Sequence, residues 1–427
     1  MSRHLHIDQR GVHRKATVFG LAALTGSLAL AACSSTSTST GGASGPIPLG
    51  FVAPLTGVGS SAGVGALEGA DVAIKAINDA GGVLGRHLDL DIGNDNTDPV
   101  DAVPVVQKQL SVDHVVASYG PAANTYPATY RYYVAAHVPA VIWGGQDSLP
   151  TLISPYIWRD TPADGVLGTA MAVNAWNLGY RNAAFLFGTD VNSQGLYASS
   201  HAAWLKLGGT VATSVTYTPG ATSFRSEVQQ VINSHPDVII FKALATDAGT
   251  LFSNLNELDG LAIPMVGDDT SDQTQFTQAI GLAAAQKALT STDTGVVTGP
   301  QYDFFNSLYM KIEGHPPLSQ ANFAYDGVTL LALAIDKAGS TNGDAIAKAI
   351  PEVENPSNTP VYTYAEGLAA LKAGKNIKFV GVSGPLTFDK YHHVLGPFAG
   401  YKAVDLNGTL KLVDNITPDE LVKAGLG

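Results

Sequence analysis

Ile47-Pro48-Leu49-Gly50-Phe51-Val52-Ala53 is a short apolar run, and the pattern that follows it decides the fold. Residues 66–80 put Leu67, Ala70, Ile74 and Ile77 on one helical face, and Gly81-Gly82 stops the helix as a left-handed cap does. Residues 87–92 read as the next strand. Asp98-Pro99-Val100-Asp101 then supplies an N-cap, a Pro at the first helical position and an acid at the third. Strands are expected again at 114–118, 139–143, 183–187, 210–217, 238–241 and 263–266. Between them lie helices after Thr125, from Gly195, and around residues 224–232 and 249–258. Such alternation predicts an α/β fold of parallel sheets with helices on both faces and right-handed crossovers.

The alternation pauses at residues 159–164, 291–300 and 383–385, which suggests a chain crossing three times between two lobes. The lobes are then expected at 47–160 plus 295–385 and at 161–294 plus 386–427. With 427 residues, each can bury its own core. The chain carries 24 Lys+Arg against 36 Asp+Glu, a formal charge of −12, which argues against a nucleic-acid coat. Its single Cys excludes an internal disulfide and a Cys-based zinc cluster.

That Cys closes a distinctive segment. Arg3, Arg10, Arg14 and Lys15 precede an apolar run over residues 16–30, short for a bilayer-spanning helix. The run ends in Leu30-Ala31-Ala32-Cys33, where the chain resembles a bacterial lipoprotein precursor. The resemblance implies a signal peptide at 1–32, removed so that Cys33 carries the lipid anchor. Residues 33–46, rich in Ser, Thr and Gly, would form a flexible tether. The processed chain would keep 20 basic residues against 35 acids, a net −15, outside the cytoplasmic membrane.

Further in, Phe51-Val52-Ala53-Pro54-Leu55-Thr56-Gly57, Gly69-Ala70-Asp71-Val72-Ala73, Ile77-Asn78-Asp79-Ala80-Gly81-Gly82 and Asn94-Asp95-Asn96-Thr97-Asp98-Pro99 follow in order. Later come Ala324-Tyr325-Asp326-Gly327 and Gly384-Pro385-Leu386-Thr387-Phe388-Asp389. This series is similar to the leucine/isoleucine/valine-binding proteins of ABC transporters, with the type I periplasmic binding fold. The resemblance implies two α/β lobes on a three-crossover hinge, a small solute enclosed between them, and delivery to a membrane permease.

In parallel α/β sheets ligands bind beyond the carboxyl ends of strands, near helix N-termini. That rule selects Tyr119, Asn124 and Thr125 in one loop, and Gly145, Gln146 and Asp147 in the next. Asn124 could cap its helix, donate to a ligand, or both. Asp147 would attract an ammonium or sit as an exposed cap. Asn192, Thr246 and the pair Asp268 and Asp269 are the second lobe's candidates. The resemblance places an acidic partner for the ligand's ammonium at about Asp269, with Asp268 equally eligible. The family's aromatic wall before the first helix is replaced by Ser61-Ala62, a departure that leaves the solute's identity open. Two or three cleft carboxylates against one Lys, Lys242, point to an amino acid or related amine.

Other signals are set aside. Gly63-Val64-Gly65-Ala66-Leu67-Glu68-Gly69 misses the dinucleotide spacing by one residue, and its glycines are expected in a cleft loop. Asp91, Asp95 and Asp98 lack the calcium-loop order and are expected on a solvated turn. His392-His393 shows no metal spacing and is expected at the surface. No Gly-x-Ser-x-Gly elbow supports a hydrolase. The expectation is a monomeric binding protein without catalysis, metal, cofactor or nucleic acid. A sensor of the same fold is the alternative, and a cell-surface enzyme the more distant one.

Overall fold

The computed structural model describes residues 45–57, 59–122, 124–145, 154–294, 299–355 and 357–426. The expected signal peptide, Cys33 and most of the tether lie outside them. Strands β1 (Ile47–Ala53), β2 (Leu88–Asn94), β3 (Ser118–Ala122), β4 (Ala140–Trp143) and β5 (Ile157–Arg159) form a parallel sheet. Its order is β2-β1-β3-β4-β5. The second sheet holds β6 (Asn182–Gly188), β7 (Thr210–Tyr217), β8 (Val238–Lys242), β9 (Met265–Gly267) and β10 (Leu289–Thr294). A three-stranded sheet of β11 (Thr359–Val361), β12 (Ile377–Gly381) and β13 (Gly384–Pro385) comes next in the chain. Then β14 (Phe398–Ala403) and β15 (Leu410–Ile416) extend the second sheet to β15-β14-β10-β9-β8-β6-β7.

The second sheet is therefore parallel only as far as β10; β14 and β15 run antiparallel. Both sheets repeat one winding, in which the first strand sits between the second and third. That arrangement makes a crevice where the order reverses.

Fourteen helices cover the described sheets: α1 (Ser60–Asp79), α2 (Pro99–Ser111), α3 (Tyr126–Ala136), α4 (Asp164–Asn177), α5 (Val191–Lys206), α6 (Arg225–Asn233), α7 (Ala245–Glu257), α8 (Thr274–Ile280), α9 (Leu282–Ala288), α10 (Pro300–Glu313), α11 (Ala321–Ala338), α12 (Gly343–Val353), α13 (Tyr364–Lys372) and α14 (Pro418–Lys423). Asp98 caps α2 by accepting from Val100 N at 2.8 Å, with Pro99 at the first helical position. Period-two alternation explains the double cover. On β6, Phe185 and Phe187 face α4 and α5, whereas Ala184 and Leu186 face α6 and α7. Each large apolar side chain so buried contributes about 1.5–3 kcal/mol. Among the described residues no helix is long and apolar enough to cross a membrane.

Several expectations change here. The glycines of residues 63–69 lie inside α1, which begins six residues before its expected start, at Ser60. They let α1 press against neighbouring backbone: a Cβ on Gly65 would meet Ser319 O, and one on Gly69 would meet Ala321 O. Asp95 is buried and holds the chain turn, accepting from Thr125 Oγ1 at 2.7 Å and Thr97 N at 3.1 Å.

The chain leaves the first sheet at residues 160–163, α10 and α11 return to the core packed on that sheet, and after β13 the chain goes on to β14 of the second sheet. The first and third passages pair: Arg159 N donates to His392 O at 2.9 Å, and Val394 N to Arg159 O at 3.1 Å. His392 and His393 are consequently half-buried, not superficial. The His392 ring stacks on Trp158 with centroids 3.8 Å apart. Asp326 of α11 ties down the third passage by accepting from Val382 N at 2.8 Å and Ser383 N at 2.7 Å.

Candidate functional site

The carboxyl ends of both sheets open onto one cleft. On the first lobe, Pro54 after β1, Thr97 after β2, Asn124 after β3 and Trp143 on β4 border a hollow of about 170 Å³. Gly144 and Gly145 connect it to a cavity of about 400 Å³. The second lobe contributes Asp164, Asp269 and Asp293 to that cavity, and the start of α11 adds Gln320 and Phe323. A larger hollow of about 920 Å³ lies near Tyr156, Lys348 and Phe388. Tyr156 precedes β5, so this hollow borders the amino end of a strand, and Asp344 in the first turn of α12 also lines it.

Small residues let the lobes approach. A Cβ on Gly145 would collide with Asp164 Oδ1. Gly144 N donates to Thr161 Oγ1 at 2.6 Å, and Asp164 N donates to Gly145 O at 2.5 Å. These bonds tie the β4 loop to the first passage between lobes.

The two neighbouring acids after β9 have different work. Asp268 is fully buried and ion-paired with Lys242, and Thr270 Oγ1 donates to it at 2.7 Å. Burial alone would lower the Lys242 pKa, but the charge and hydrogen bond of Asp268, with the charges of Asp269 and Asp164, together outweigh it and hold the ammonium above the usual lysine range. Asp268 thus does not line the cavity. Asp269 does, open to the cavity while protein packs around its carboxyl. That burial, then repulsion from Asp268 and Asp293, pushes its pKa well above the carboxylate range. Burial and Asp293 push Asp272 up to about 8, and burial raises Asp293 as well.

The structure brings Asn124, Gly145 and Asp269 to the cleft. Asn192 is exposed and reaches it through Asp164, donating to Oδ2 at 2.6 Å. Thr125 does not line it, because its hydroxyl is buried against Asp95. Tyr119 does not either: β3 runs through Ala122, so Tyr119 is a core strand residue stacked on Phe51 with centroids 6.1 Å apart. Thr246 is exposed in the first turn of α7 and borders neither hollow of the cleft; its neighbour Asp247 is buried, accepting from Gly220 N at 2.9 Å. Gln146 and Asp147 lie outside the described residues, as does Cys33.

Sequence reasoning missed Asp164, Asp293, Gln320 and Phe323. Asp293 fell in an expected pause, although Thr290, Thr292 and Thr294 alternate around it as a strand's β-branched residues do. Asp164 fell in the first pause, where a first-turn helical acid was the available signal.

The family model described as "Periplasmic binding protein" matches residues 46–405. The chain belongs to the periplasmic binding protein family. A relative named Leu/Ile/Val-binding protein BraC3, from Rhizobium johnstonii, is 26% identical over 332 residues, 75% of this chain and 88% of that protein. Among solved structures, the leucine-binding protein LivK from Thermotoga maritima has a TM-score of 0.66 at 21% identity. The match covers 88% of this chain and 99% of that one. A solute-binding protein of an ABC transporter from Rhodopseudomonas palustris, in complex with 3,4-dihydroxybenzoic acid, has a TM-score of 0.63 at 18% identity. It covers 87% of this chain and 98% of its own. As a periplasmic binding protein, the chain carries a fold that this neighbour and LivK use for chemically different solutes.

Proposed function

We infer that this periplasmic binding protein is the lipid-anchored, extracytoplasmic solute-binding component of an ABC importer, and that its solute is an amino acid or related amine. The observation that carries the reading is the cavity of about 400 Å³, with walls from both lobes at the carboxyl ends of their sheets. Such a site is completed only when the lobes are together, so ligand binding and closure are linked. To move an open–closed equilibrium from 1:99 to 99:1, the closed state must bind about 10⁴-fold tighter. A permease that reads the closed shape would then accept only loaded protein. The N-terminal Leu30-Ala31-Ala32-Cys33 supports the anchor, and the relatives' names support an amino acid.

The test couples binding to shape. Thermal-shift screening of the purified protein against amino acids and amines should find compounds that raise Tm. Small-angle scattering with such a compound should show a smaller radius of gyration than without it. A ligand that stabilises without contraction would overturn the closure mechanism, and turnover of the bound compound would overturn the binding-protein reading.

A further inference from the structure

Away from the cleft, we propose that the hollow of about 920 Å³ beside β5 is a second ligand site, and that it takes a small aromatic molecule carrying a protonated amine. It shares no described lining residue with the inter-lobe cavity or the first lobe's smaller hollow, so the inference stands apart from the solute reading. Its size and its walls, apolar with few polar groups, are those of a site for a compact organic molecule. Tyr156, Trp158, Phe388 and His392 contribute rings to the wall, and Ala347 and Pro351 of α12 extend its apolar side. The rings are held by one another: His392 stacks on Trp158 at 3.8 Å, and Phe388 meets it edge-on at 4.9 Å.

Glu354, at the carboxyl end of α12, is the exception in this wall. It is 6% exposed, and neither of its carboxyl oxygens has a hydrogen-bond partner. The other acids lining the hollow are engaged. Asp344 accepts from the Tyr156 hydroxyl at 2.5 Å and pairs with His137 at 2.8 Å. Asp389 accepts from Tyr391 N at 2.8 Å and His393 N at 2.9 Å. Among the described residues of the wall the one lysine, Lys348, is solvent-exposed.

A buried carboxyl without a donor is costly in either protonation state, because an acceptor oxygen goes unfilled. Burial first, then repulsion from Asp326 on α11, makes Glu354 hold its proton well above the carboxylate range; Lys378 on β12 offsets only part of this. An ammonium would supply the missing donor and favour the ionised form, and an aromatic body would cover the rings. An aromatic acid would satisfy the rings alone, and a short alkylamine the carboxyl alone.

Isothermal titration of the purified protein with phenethylamine, phenylpropionate and ethylamine tests this. Phenethylamine should bind about tenfold or more tighter than either of the others. Glu354→Leu should weaken it about tenfold or more while Tm holds or rises, since an unpartnered buried acid is removed. Glu354→Gln, close to the native shape, repeats the test if the Leu variant disturbs the fold, and should also weaken binding. Asp269→Ala, in the solute cavity, should leave phenethylamine affinity unchanged. Phenylpropionate binding as tightly, or unchanged affinity in both Glu354 variants, overturns the proposal. Loss of phenethylamine binding in Asp269→Ala would put the amine in the inter-lobe cavity, which overturns the second site and supports the solute reading. Binding of none of the three overturns the second site and leaves solute capture to its own screen.

Discussion

A buried ammonium and a buried carboxylate are each costly alone, and Lys242 with Asp268 shows what their pairing secures. Both side chains are almost completely removed from solvent, and the pair fixes the end of β8 against the turn after β9. Replacing Lys242 by Ala should leave Asp268 uncompensated and lower stability by about 3–5 kcal/mol, read from urea unfolding. A loss below about 1 kcal/mol would place the pair among solvated ones. Asp269, one residue on, should behave oppositely. Asp269→Ala removes a repelled acid, so Tm should hold or rise while ligand affinity falls. Unchanged affinity would remove Asp269 from the site. At the other end of the chain, Cys33→Ser should move the protein from the membrane fraction to the soluble fraction. Persistence in membranes would refute the anchor.

Elements were far more legible in the sequence than the site. Thr210–Tyr217 and Ile47–Ala53 have the bounds their β-branched and apolar residues predict, because Gly and Pro punctuate them. The strand expected at 114–118 lies instead at Ser118–Ala122, since no local signal marks which part of residues 114–122 pairs with β1. That shift is what moved Tyr119 from loop to core. Helix α1 was read from Ala66 because Gly63 and Gly65 depress intrinsic helix propensity, and packing overrode it. The packing reading is testable. Gly69→Ala should destabilise the protein by about 1–3 kcal/mol, since its Cβ would press on Ala321 O of α11. Gly249→Ala in α7 meets nothing within 4 Å and should stabilise by roughly 0.5–1 kcal/mol from propensity alone. Equal effects from the two would refute close α1–α11 contact. The site stayed illegible for a related reason: Asp164, Asp269 and Asp293 are distant in sequence, and only the two-lobed topology gathers them.

Across the whole molecule burial raises the pKa of many acids, Asp71, Asp95, Asp336 and Asp414 among them, and two groups of these acids lie in the cavity and the hinge. In the hinge, burial raises Asp160 far above the carboxylate range, despite its neighbour Arg159. Asp326 is pushed up to about 7 by burial, against the bonds from Ser383 and Val382 that favour its charge. Glu354, buried without a hydrogen-bond donor, is raised as well. Each such group binds its proton more tightly folded than unfolded, so between the two pKa values the native state holds more protons. Stability then falls as pH rises through that interval. For Asp326 the interval runs from its ordinary value of 3.8 to about 7, and for Asp272 from 3.8 to about 8. Asp190 and Glu420, whose pKa values lie below the usual range, have the opposite sign and act only at lower pH; His393, which burial lowers to about 4, also has the opposite sign and offsets part of the slope below about pH 6.5. Without ligand, Tm should therefore be higher near about pH 5 than near about pH 8, with protons released on unfolding in between. A solute whose ammonium lies against Asp269 should flatten the cavity's share of this slope and leave the hinge's share. A Tm that climbs steadily from pH 5 to 8 would mean these carboxyls are ionised and compensated in the native protein, and it would remove the electrostatic basis for both the hinge and the cavity arguments.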